Sequence, residues 1–89
     1  MAKYRKLPIV IDAYQLPPDD GQTRELPPPW LLKEIVEGGV WERGDAWSIK
    51  TNTGNVQLAH VGDWVIRGVE GEVYACPDSI FKATYEKVV

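Results

Sequence analysis

At 89 residues the chain has room for one hydrophobic core, and a domain of this size buries only roughly 60 to 65% of the surface its unfolded form exposes. Its 44% apolar and 26% charged residues exclude an intrinsically disordered polymer. A net charge of -3 argues against a general nucleic-acid binder, because a duplex partner normally selects for a basic excess to replace condensed counterions.

Leu7 to Leu16 reads as a first strand, rich in β-branched residues, with Pro8 near its start where a missing N–H is tolerated. Pro17 and Pro18 end it. The stretch to Pro29 carries Asp19-Asp20-Gly21 and three consecutive prolines, so it is expected to form a surface loop or arm. Trp30 to Glu37 is the clearest helix: Leu31, Leu32, Ile35 and Val36 fall on one stripe, and Gly38-Gly39 ends it.

Short strands follow. Val40 to Arg43 and Ala46 to Thr51 flank Gly44-Asp45, and Asn52 to Asn55 reverse the chain into Val56 to Ala59. Asp63 to Arg67 and Glu72 to Cys76 form a hairpin about Gly68 to Gly71, with Trp64 and Ile66 on one face and Val65 and Arg67 on the other. Pro77 starts a helical turn with Asp78 as its N-cap, over Ser79 to Lys82. Thr84 to Val89 is read as a closing strand. The expected class is α+β: mainly an antiparallel sheet or small open barrel, as a single domain over 1–89, with one amphipathic helix and a short C-terminal helical turn.

Cys76 is the only cysteine, which excludes an internal disulfide and a multi-cysteine metal site. His60 with Cys76 resembles a nucleophilic pair only superficially, and two residues fall short of the four ligands structural zinc takes. His60 therefore reads as a turn residue and Cys76 as a small core residue. Asp12, Asp63, Asp78, Glu70 and Glu72 offer carboxylates, but no spacing fixes two of them together for acid-base work. The expectation is no catalytic residue, no metal and no cofactor.

Four Trp and four Tyr carry more information, because an aromatic surface stacks a base while leaving its edge free for polar readout. Trp64 and Trp30 read as core residues, whereas Trp41 and Trp47, which bracket the tight turn beside Arg43, read equally as exposed or interfacial aromatics or as core. Arg5, Lys6, Arg43, Lys50 and Arg67 are the cations available to a phosphate. Lys3, Arg5 and Lys6 form a basic cluster in an otherwise acidic chain, which suits a small anionic ligand.

The run Lys3-Tyr4-Arg5-Lys6-Leu7-Pro8-Ile9-Val10-Ile11-Asp12-Ala13, the Pro29-Trp30-Leu31 triplet, and Gly62-Asp63-Trp64-Val65-Ile66-Arg67-Gly68 through Cys76-Pro77-Asp78, with Ile80-Phe81 and Thr84-Tyr85-Glu86 after it, resemble a widespread family of small phage and prophage proteins. Family sequences read Pro-Gly-Asp-Trp and Tyr-Pro-Cys where this chain has Val61 and Ala75 before Gly62 and Cys76. In size and phage character the chain also looks like the anti-CBASS cyclic-nucleotide sponges, which sequester a bacterial immune signal without degrading it. That resemblance implies a non-catalytic homo-oligomer, a dimer or tetramer, binding a cyclic dinucleotide such as cyclic GMP-AMP in the infected host's cytoplasm. The expected ligand residues are Arg5, Lys6 and Arg67 on phosphate, with Trp41 or Trp47 stacked on a base. The alternative is a protein that binds a host or virion protein through its sheet edge or aromatic surface. No run approaches the ~18 apolar residues of a membrane span, and no membrane or duplex partner is expected.

Overall fold

A computed structural model of the chain describes residues 2–5, 8–18, 26–44 and 46–88, the side chain of Arg43 excepted. Leu7, the loop residues 19–25, Asp45 of the expected turn and the final Val89 lie outside the described residues. The elements are β1 (Asp12–Gln15), α1 (Pro29–Val36), β2 (Val40–Arg43), β3 (Ala46–Lys50), β4 (Val56–His60), β5 (Trp64–Arg67), β6 (Val73–Cys76) and α2 (Asp78–Thr84). The strands form two antiparallel three-stranded sheets, ordered β1-β5-β6 and β2-β3-β4. The fold is thus a small α+β structure of mainly antiparallel sheet, and neither sheet closes into a barrel.

The first strand is shorter than its sequence implies. Asp12 pairs with Arg67, the last residue of β5, and the chain then turns at Gly68, so residues before Asp12 have no ladder to join. The expected closing strand is replaced as well: Thr84 belongs to α2, and Tyr85 to Val88 join no strand. Helix α2 carries the chain onto the face of the β1-β5-β6 sheet, where Phe81 stacks on Trp64 with ring centroids 3.9 Å apart, and so takes the terminus away from a sheet edge.

Residues paired directly across antiparallel strands share a face, and this sorts the interior into two parts. One face of β1-β5-β6 presents Tyr14, Val65, Val73 and Ala75 to Val40, Ile49, Ala59 and Trp47 of the other sheet. On the opposite face Trp64 meets Phe81 of α2, and Ile66 and Cys76, which share that face, are both buried. The alternation of Trp64 and Ile66 against Val65 and Arg67 is therefore as expected. Between the sheets, Gln57 accepts a hydrogen bond from the Ala75 N–H at 2.8 Å, which ties the β6 edge to β4.

Helix α1 begins on Pro29 at its first turn, where an absent N–H loses nothing. It ends in a Schellman arrangement: Gly39 N–H donates to Glu34 O and Gly38 N–H to Ile35 O, with Gly38 at φ 84°, a left-handed conformation glycine adopts without a Cβ penalty. Its expected apolar stripe is only partly used. Leu31 is fully buried, whereas Leu32 is 41% and Val36 86% exposed, because α1 sits at the border of the inter-sheet core and offers it one edge of the stripe.

Candidate binding surface

The side of β2-β3-β4 facing away from the core carries three rows fixed by register. Trp41 pairs with Ser48 and Ser48 with Leu58; Ala46 pairs with His60; Lys50 pairs with Val56. Trp41 is 39%, Leu58 56% and Val56 54% exposed. Ser48, between Trp41 and Leu58 on the central strand, is only 3% exposed, since the two larger neighbours stand over it. The result is a shallow trough with an indole and an isobutyl group as walls and a serine as floor. Lys50 and His60 are exposed on the same face, at its opposite ends.

The expected ligand residues that are described stand on separate elements. Trp41 and Trp47 lie on opposite faces of one sheet, because Trp47 neighbours Ser48 along the strand. Trp47 packs against the core and stacks on Tyr14 at 6.1 Å, so its ring has one face occupied. Arg67 belongs to the other sheet, where Asp12, its register partner, accepts from both its Nε and its Nη2. The same guanidinium lies 5.4 Å from the Trp30 ring, a cation–π contact that holds it in place. Arg5 is exposed in the irregular N-terminal segment, and Lys6 lies outside the described residues. Trp30 and Trp64 are half-buried, each with a packing partner.

The titratable cluster at the β4–β5 turn is structural in geometry. Asp63 accepts the His60 N–H at 3.1 Å with one oxygen and the Asp78 N–H at 3.4 Å with the other. It is therefore Asp63, across the turn from β4 to β5, that reaches the start of α2. Asp78, expected as the helix cap, instead occupies the first helical position after Pro77 and makes no capping bond. Its carboxylate accepts from Trp64 Nε1 at 2.9 Å and pairs with Lys82 Nζ at 3.0 Å. Cys76 is buried, as expected, and donates to the Pro77 carbonyl. Among the described residues no three His, Cys, Asp or Glu side chains converge as metal ligands.

The Trp64 indole N–H, and after it Lys82, hold the Asp78 carboxyl below its ordinary 3.8. A folded-state pKa lowered in this way contributes stability above the unfolded value, and that contribution disappears as pH falls below 3.8 through the lowered folded value. Asp78→Asn is therefore expected to flatten the acid limb of the stability curve. Urea midpoints of both proteins between pH 6 and pH 3 check this, and parallel curves would rule the linkage out.

Sequence reasoning passed over Leu58. Its signal was present in β4, where Val56, Leu58 and His60 share a parity opposite to the core residue Ala59, and an outward apolar pair on a strand is legible as such. Asp63 as the anchor of α2 had no local signal, since the contact spans fifteen residues. Compared with family models, curated proteins and solved structures, the chain finds no match in any of the three.

Proposed function

We propose that this protein works by association, as a non-catalytic binding protein whose Trp41 face is covered by a protein surface in the working state. The observation that carries this reading is the Trp41, Ser48, Leu58 row. It is an open sheet face bearing a large aromatic and two aliphatic side chains, with no layer of its own chain among the described residues packed on it. Aromatic anchors surrounded by aliphatic contacts are the residues that dominate protein–protein binding energy. Resemblance to small phage and prophage proteins fits a chain that acts by occupying a partner.

The cyclic-nucleotide reading has one observation in its favour, the exposed Trp41 indole with Lys50 on the same sheet face. A base on Trp41 gains about 1 to 3 kcal/mol, while nanomolar binding requires roughly 12 kcal/mol, so phosphate contacts from Arg5 or a freed Arg67 have to supply much of the rest. Freeing Arg67 means breaking its pair with Asp12. Calorimetry with a panel of cyclic nucleotides, including cyclic GMP-AMP, separates the two readings. The protein reading expects no nucleotide heat and expects association to be lost in Leu58→Glu. A nucleotide site expects saturable heat, reduced in Trp41→Ala and in Arg5→Ala, and intact nucleotide released on heating. If Trp41→Ala and Leu58→Glu leave every association unchanged, the face is not the functional one.

A further inference from the structure

We propose that the groove between the segment before β1 and the segment after α2 binds a flexible acyl chain, the hydrocarbon tail of a fatty acid or of a phospholipid. It is built on other elements than the Trp41 row and does not depend on the association proposed above. Residues 9–11 and 85–88 both line it, and neither segment joins a strand. Trp64, Phe81 and Ala13 line its inner lobe, of about 410 Å³. An outer lobe of about 580 Å³ shares Ile9, Val10 and Tyr85 with the first and reaches Lys82 and Thr84, so the groove runs from the Trp64–Phe81 stack to the last turn of α2. Both volumes fall in the range of roughly 300 to 1,000 Å³ that small-molecule sites occupy.

The lining selects hydrocarbon by what it withholds. The hydrogen-bonding side-chain atoms of the inner lobe's rings are engaged within the protein: Trp64 Nε1 donates to Asp78 at 2.9 Å, and the Tyr85 hydroxyl lies 3.5 Å from that of Tyr74. A polar ligand group placed there loses its water without gaining a partner. A flat aromatic ligand lacks a slot as well, since Trp64 and Phe81 are stacked on each other and Tyr85 meets Phe81 at 5.1 Å. What remains is branched aliphatic, with Val10 72% and Val88 69% exposed, apolar area that a bound chain removes from water. Glu86 and Lys87 are adjacent and opposite in charge, and Lys82 pairs with Asp78 at 3.0 Å. Their methylene stems can line the groove while the charges stay in water, so the tail is recognised and the head group remains at the rim.

Calorimetric titration of the full chain with octanoate, decanoate and dodecanoate, each below its micellar concentration, is the primary measurement. Flotation with phosphatidylcholine vesicles tells a free acid from a membrane lipid as the source of the chain. Saturable binding that tightens with chain length and carries a negative heat-capacity change, the marker of apolar burial, is expected. Val10 is exposed and outside every strand, so Val10→Asp is expected to keep the circular dichroism spectrum and to weaken binding at least about tenfold. Ala13→Leu fills the inner end and is expected to shift the preference toward shorter chains, a change that a merely weakened fold does not produce. Heat from the acids without flotation assigns a free fatty acid, and flotation lost in Val10→Asp assigns a phospholipid. The inference is overturned if neither probe binds, if vesicle binding alone occurs and survives Val10→Asp, or if both variants leave affinity and chain-length preference unchanged.

Discussion

Leu31→Ala is expected to cost about 2 to 5 kcal/mol, the range for deleting a fully buried leucine side chain, whereas Leu32→Ala one position later is expected to cost only a few tenths. Leu31 has no exposed surface and belongs to the cluster with Val40, Ile49 and Val65, so its truncation opens a cavity where α1 closes the space between the sheets. A chain of 89 residues has a total stability of about 5 to 13 kcal/mol, so this one change removes a large share of it. With about 4 to 8 °C lost per kcal/mol in a domain of this size, a thermal midpoint drop of at least about 8 °C is expected for Leu31→Ala. Equal urea midpoints for the two variants would show that α1 is not anchored through Leu31.

Phe81→Ala is expected to cost about 2 to 4 kcal/mol and to release α2 from its sheet. The Phe81 ring lies nearly parallel to Trp64, at 9°, and also meets Tyr85 at 5.1 Å, while α2 itself buries no residue fully. One side chain therefore does most of the holding, assisted by the Trp64 to Asp78 hydrogen bond. Trp64→Phe keeps the stack and removes only that bond, so its cost is expected near 0.5 to 1.5 kcal/mol. Near-ultraviolet circular dichroism of the Trp64 environment, read beside urea midpoints, distinguishes a detached helix from a merely weakened protein. If Phe81→Ala unfolds no more easily than Trp64→Phe, the stack contributes little. The Tyr74 phenol reports on the same layer: burial first, and then its contact with the Tyr85 hydroxyl, push it well above its ordinary value.

Both variants change side chains that do not belong to the Trp41, Ser48, Leu58 row. Leu31 anchors α1 at the border of the inter-sheet core and Phe81 holds α2 on the β1-β5-β6 sheet. Loss of association in Leu58→Glu with an undiminished urea midpoint would therefore separate a binding defect from a folding defect, which the core variants do not.

Local chemistry was sufficient for most of the elements. Proline at the start of α1 and glycine after it, the glycine-bearing turns between β2 and β3 and between β5 and β6, and the parity of Trp64, Val65, Ile66 and Arg67 are each set by neighbours a few residues away, so the chain itself determines them. What needed the tertiary structure were the features decided by distant partners. The first strand stops at Asp12 because β5 runs out at Arg67, fifty-five residues on. Residues from Thr84 onward leave the sheets because Phe81 finds Trp64. Asp63, not Asp78, serves the start of α2 because a turn brings it there. Trp41 and Trp47, equivalent in the sequence as aromatics flanking one turn, are made different by register alone: one faces Tyr14 and the core, the other faces out. A strand pattern specifies which residues share a side, but which side meets the core is decided only when the second sheet arrives.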